Sequence, residues 1–256
     1  MNLITLFEVE FKKIRHSGIF LILLVAAVFL WLPAIFHGDV NFKMEDIGIS
    51  PENNFLIQGF MGLAWFMFPA CMVVCTVLIG QTERGNRGIL KMLSLPLNTG
   101  KLCLAKFAVL LVLAAVSICF SAVAYFISAG IVSHTQSYDF MLSPLFVFKE
   151  AGLIYVSSIP MLSIFWLLSV CIQTPIFSIG VGLASIVPSV LMINTKFWFL
   201  YPMAYPFFTV TNEYSKLAES MTPNSVDYGL WGGIAVTVTL LSLLVSCFWF
   251  GQVERR

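Results

Sequence analysis

Gly80-Gln-Thr-Glu-Arg-Gly-Asn-Arg-Gly-Ile-Leu-Lys-Met-Leu-Ser-Leu-Pro-Leu-Asn-Thr-Gly-Lys-Leu-Cys-Leu-Ala-Lys106 is the one long charged interruption between the apolar segments of this chain, and the segments on either side take their meaning from it. On a helix, at about 100° per residue, Arg84, Arg87 and Lys91 share one face while Ile89, Leu90, Met92 and Leu93 take the other. The spacing predicts a short amphipathic helix at a membrane surface. Pro96 has no N–H to continue the ladder, so the helix is expected to stop before it, with Asn98 or Thr99 capping a new one. A basic, half-apolar loop helix resting on cytoplasmic headgroups accounts for the same pattern without any partner.

Outward from this stretch the chain is apolar. Of its 256 residues 59% are hydrophobic and 11% charged, where a soluble domain carries roughly 25% charged residues. Six segments, near 18–36, 56–80, 103–131, 150–172, 176–195 and 229–250, are long enough to cross a hydrocarbon core of about 30 Å. Bare backbone is intolerable in lipid, so the spans are helices. The expected fold is an all-α polytopic membrane protein, one transmembrane domain over residues 1–256 with a connecting loop at 81–102. The fourth and fifth spans are separated only by Gln173, Thr174 and Pro175 and form a tight hairpin.

Residues 1–16 place Leu3, Ile4, Phe7, Phe11 and Ile14 on one face and Glu8, Lys12, Lys13 and Arg15 largely on the other, as an interfacial helix does. The acids in this leader, and an apolar run too long for a signal sequence, argue against cleavage. Glu10 falls inside the apolar sector, where a carboxylate must snorkel or pair, with Lys13 as the local partner. With the N-terminus inside, ten of the fourteen basic residues fall in inner segments: Lys12, Lys13, Arg15, Arg84, Arg87, Lys91, Lys101, Lys106, Arg255 and Arg256. Lys43, Lys149, Lys196 and Lys216 lie outside. Both termini are therefore expected in the cytoplasm.

The outer loop from His37 to Phe55 carries Asp39, Glu45, Asp46 and Glu52 against one lysine; it attracts cations or merely solvates the loop. Residues 196–210, Lys-Phe-Trp-Phe-Leu-Tyr-Pro-Met-Ala-Tyr-Pro-Phe-Phe-Thr-Val, are too short and proline-broken to span and too apolar for a free loop. An aromatic interfacial anchor explains them. Pro69, Pro160 and Pro188 lie inside spans and predict kinks, while Gly180, Gly182 and Ala184 permit close helix contact. The six cysteines sit in or beside apolar segments and form neither a disulfide framework nor a metal set.

Energy-coupling chemistry is missing. Gly100-Lys101, the nearest approach to a P-loop, has Leu95 where the first glycine belongs and Leu102 where a magnesium-binding hydroxyl belongs. His16, His37 and His134 lie at segment ends, so no hydrolase triad can meet at one depth. The span centres hold no Asp, Glu, Lys, Arg or His of the kind that ion-driven transport uses.

The order Glu83, Gly85 or Gly88, an apolar pair, Leu93, Pro96 and Lys106 resembles the loop between the second and third spans of ABC exporter permeases of the second type. In that family the loop is a cytoplasmic coupling helix that docks into a groove of a separate ATPase subunit. Glu10-Phe-Lys-Lys-Ile-Arg15 resembles the N-terminal segment of lantibiotic-immunity permeases, where the interfacial helix adds a second contact toward the ATPase. The Pro202-x-x-x-Pro206 spacing with Tyr201 and Tyr205 resembles the aromatic–proline segment of the same permeases, and short re-entrant helices before the last span are typical of the exporters.

The resemblance implies a permease subunit in a bacterial cytoplasmic membrane, without enzymatic activity or a cofactor of its own, with ATP and Mg on the partner ATPase. It implies pairing with a second related permease or with itself, and expulsion of a lantibiotic or other cationic antimicrobial peptide. It also implies ATPase-coupling roles for Glu83, Arg84, Arg87, Gly88, Lys91, Pro96, Lys106, Glu10 and Lys13, and a substrate or re-entrant segment at Trp198, Tyr201, Pro202, Tyr205 and Pro206. Export of another drug or lipid-like compound, or a non-transporting membrane sensor or assembly factor, remain the alternatives.

Overall fold

The structure, a computed structural model, describes residues 2–15, 17–84, 98–218 and 226–253. Among the described residues all regular structure is helical. Helix α1 (Leu3–Arg15) ends on Lys12, Lys13 and Arg15, cations that suit a helix C-terminus. Gly18, left-handed at φ 73, then turns the chain into α2 (Ile19–Phe36). The second span is α3 (Pro51–Gly62) and α4 (Phe68–Arg84), continuous through a wide π-turn at Leu63–Met67. There follow α5 (Thr99–Gln136), α6 (Pro144–Cys171), α7 (Pro175–Ile186), the single turn α8 (Ser189–Met192), α9 (Tyr205–Leu217) and α10 (Tyr228–Val253).

Six stretches are long and apolar enough to cross a membrane: Ile19–Phe36, Pro51–Gln81, Thr99–Gln136, Pro144–Cys171, Pro175–Met192 and Tyr228–Gly251. Several start earlier than hydropathy predicts. Pro51, Pro144 and Pro175 each sit in the first turn of a helix, where a missing N–H costs nothing and the fixed φ is already helical. The polar residues after Pro51 and before Glu150 therefore belong to helices rather than loops.

The span prolines act at different strengths. Pro69 has no N–H for the carbonyl of Trp65, and the turn just before it widens, so that Phe68 donates back to Leu63. Pro188 separates α7 from α8, leaving the fifth apolar stretch broken near its end. Pro160 stays inside α6, which continues through it.

Helix α5, about 57 Å long, packs against α1, α2, α4, α6 and α10 and forms the axis of the molecule. Its contact with α2 and α3 centres on Trp31. A Cβ on Gly59 would fall 2.3 Å from the Trp31 ring, so only glycine admits the indole, whose N–H donates to the Ser121 carbonyl at 3.1 Å. Phe55, Phe60 and Tyr125 surround the ring. Gly182 plays the same part between α7 and α4, where a Cβ would meet the Val73 side chain at 2.6 Å. Buried serines on α5 and α6 use small volume for close packing and return their hydroxyls to helix carbonyls, as Ser158 does to Tyr155. Leu21, Val25 and Phe29 of α2 and Leu240, Leu244 and Phe248 of α10 turn outward, as lipid-facing residues do.

The bundle has two distinct ends. Helix α1, the start of α5 and the end of α10 meet at one: Cys247 Sγ approaches the Gly100 carbonyl at 3.7 Å, and α1 packs on α5 and α4. At the other, the 3-10 stretch Gly38–Ile47 is tied down by Asn54 donating to Asn41 at 2.8 Å and by Phe42 packing on Tyr138 and Phe140.

Candidate functional site

Glu83 and Arg84 are the last residues of α4. Arg87, Gly88, Lys91 and Pro96, with the amphipathic helix expected around them, lie outside the described residues. The chain is described again at Asn98, whose side-chain oxygen accepts from the N–H groups of Gly100 at 3.0 Å and Lys101 at 3.3 Å. Asn98 is thus the N-cap of α5, one of the two caps read from the sequence.

Two turns into α5 lies Lys106, and facing it from α1 is Glu10. Each residue is only 1% exposed. Glu10 Oε2 accepts from Lys106 Nζ at 2.7 Å, and Oε1 accepts from Lys13 Nζ at 2.5 Å. Burial works against the charge on Glu10, but the ammonium groups of Lys106 and then Lys13 outweigh it and hold the carboxyl below its ordinary value. Two buried charges justify their desolvation only by meeting with good geometry. The pair therefore clamps α1 to the root of α5, directly beyond the cap at Asn98. Its demand also sets how α1 lies: the buried stripe is Leu6, Glu10 and Ile14, with Phe7 and Phe11 partly covered, while Leu3 and Ile4 face outward. The apolar face predicted from periodicity is rotated to follow the carboxylate.

Trp198, Tyr201, Pro202, Tyr205 and Pro206 do come together. Two short 3-10 turns, Trp198–Leu200 and Pro202–Ala204, lead into α9, with Pro206 in its first turn. Trp198 stacks on Phe208 at 3.5 Å between ring centroids and stands edge-on to Tyr205. The Tyr205 hydroxyl donates to the Phe199 carbonyl and that of Tyr201 to Ser185 in α7. Tyr205, Pro202 and Pro206 are buried. At 13 residues, or about 20 Å, α9 is too short to cross the membrane; it packs along α6, α3 and the π-turn instead.

A family model for the ABC-2 family transporter protein matches residues 6–189, from α1 to the beginning of α8. The chain belongs to this family. It is an integral membrane permease subunit of an ABC transporter. The matched part of this ABC-2 transporter contains Glu10, Lys13, Lys106 and the whole of 81–102, and stops before the aromatic–proline segment. Comparison with curated proteins finds no match.

Of the two outcomes open to Glu10 from the sequence, snorkelling or pairing with Lys13 three residues away on the same helix, the pairing is present. Lys106 stands 96 residues further on. The signal available for it was the lysine itself, placed two turns inside an apolar helix of the transporter with no acid near it in the chain.

Proposed function

We propose that this chain is the permease subunit of an ATP-driven exporter, worked by a separate ATPase chain that carries the ATP and the magnesium. The observation that supports this most is the buried Glu10–Lys106 pair: the charged stretch 85–97 joins α4 to α5, and the root of α5 is bound to α1 just beyond it. A docked ATPase would meet Glu83, Arg84, Arg87, Gly88, Lys91 and Pro96. Movement there would pass into the bundle along α5, and the ion pair would carry α1 with it. The crowding of basic residues favours this end as the cytoplasmic one, with both termini inside a bacterial cytoplasmic membrane.

The exported substrate in this reading is a lantibiotic or other cationic antimicrobial peptide. The resemblance of Glu10–Arg15 and of the Tyr201–Pro206 segment to lantibiotic-immunity permeases supports it, with Trp198, Tyr201 and Tyr205 nearest the path. A second permease, related or identical, would complete the pore by covering apolar outer faces. Affinity purification in mild detergent from native membranes, with every co-purifying chain identified by mass spectrometry, tests the coupling reading. A P-loop ATPase should co-purify, with or without a second six-span permease; repeated recovery of folded protein without one would end it.

A further inference from the structure

Helices α5 and α10 meet at the charged end of the bundle. A Cβ on Gly251 would fall 2.9 Å from Thr99 Oγ1, so the two helices almost touch there. One turn back along α10, Cys247 Sγ lies 3.7 Å from the Gly100 carbonyl. Cys103 is one turn further into α5, and its thiol shares a hydrogen bond with that of Cys247. Trp166 of α6 seats the same sulfur, its indole N–H donating to Cys103 Sγ at 3.3 Å. Cys103 is buried and Cys247 half-buried. The remaining thiols are placed differently: Cys119 and Cys171 are exposed, and Cys71 and Cys75 are neighbours on one helix. A bond between Cys103 and Cys247 would instead join two helices that are far apart in the chain.

A disulfide needs its sulfurs about 2.05 Å apart, and two thiols in hydrogen-bond contact have only to close that remaining gap. From this geometry we infer that Cys103 and Cys247 are a reversible redox pair, converted by hydrogen peroxide into a disulfide that locks α10 onto the root of α5. The half-buried Cys247 meets the oxidant first: one peroxide oxygen passes to its Sγ, giving a sulfenic acid and releasing water. Cys103 Sγ then attacks that sulfur, the S–O bond breaks, and the hydroxyl leaves as a second water with the Cys103 proton. A cellular dithiol reverses the bond by exchange, itself becoming the disulfide. The link falls at a sensitive place. Lys106, one turn beyond Cys103, is already held by Glu10 of α1, so oxidation would grip the root of α5 from a second side. On the coupling reading this arrests movement along α5; the bond itself does not depend on that reading.

The test uses the full chain in phosphatidylcholine–phosphatidylglycerol nanodiscs, first reduced, then exposed to hydrogen peroxide, and finally unfolded in N-ethylmaleimide to trap every remaining thiol. Mass spectrometry of the digest should find Cys103 linked to Cys247. The link should form about tenfold or more faster than any that uses Cys119 or Cys171, because paired thiols have a high effective concentration. Cys119→Ser with Cys171→Ser, which removes the exposed thiols, should leave it unchanged, and dithiothreitol should reverse it. The oxidised chain should melt higher than the reduced one, a shift that Cys103→Ala and Cys247→Ala each abolish. Recovery of Cys103 and Cys247 as maleimide adducts after Cys119 and Cys171 have been oxidised would overturn the inference. So would Cys247 linking equally to the other cysteines, or a linked chain whose melting temperature does not rise. None of these readouts needs an ATPase, so failure to recover one would count against the coupling reading alone.

Discussion

A single carboxylate governs how the N-terminal helix lies. Removing Glu10 leaves Lys106 charged in a buried site, and such one-sided losses cost about 3–5 kcal/mol, whereas replacing both partners by apolar groups is often tolerated. We expect Glu10→Ala to lower the melting temperature sharply and the double variant Glu10→Met, Lys106→Met to recover most of it. Melting in detergent, followed by size-exclusion, reads both. The pH dependence has a definite sign. Because the native carboxyl is held below its ordinary 4.5, the stabilisation is complete above that value and is lost as pH falls through the lower native one. Melting curves of wild type and Glu10→Gln should thus converge in acid and separate above it. A smaller side chain decides the contact of α2 with α3: Gly59→Ala drives a methyl into the Trp31 ring and should cost about 1–3 kcal/mol, seen as a lowered melting temperature that Trp31→Leu partly restores.

Among the elements, α5 carries the most consequence, since it starts at the charged stretch and touches most of the bundle. Asn98 supplies acceptors to two N–H groups that have no helical partner. Asn98→Ala should cost about 1 kcal/mol, and Asn98→Ser or Asn98→Asp should not; thermal melting distinguishes them. The stretch before it has a different role in the coupling reading. Arg87→Glu with Lys91→Glu should abolish peptide resistance in cells while leaving membrane insertion unchanged, and full resistance in that variant would remove the coupling role. Between the residue and element scales, the aromatic–proline segment was legible as neither span nor loop. Its short turns follow from Pro202 and Pro206, but its stacking on Phe208 and its bond to Ser185 depend on how the neighbouring helices α9 and α7 fold back on it.

At the scale of the molecule, orientation is the property the charges predict most directly. A cysteine placed at Lys43 should react with an impermeant maleimide added outside intact cells, and one at Lys101 only after lysis. The opposite pattern would invert the proposed topology and move the charged stretch away from any cytoplasmic ATPase. The number and type of the spans follow from the sequence alone, because the bilayer acts as a solvent: it demands about 20 apolar residues per crossing and internal pairing of every backbone group, whatever their neighbours. The cap at Asn98 was equally local. The partner of Glu10, the glycine that seats Trp31 and the rotation of α1 were decided only by the tertiary structure. Each depends on which helix faces which, and helices already satisfied in lipid choose their neighbours by fit and by pairing of buried polar groups, neither of which leaves a periodic mark along the chain.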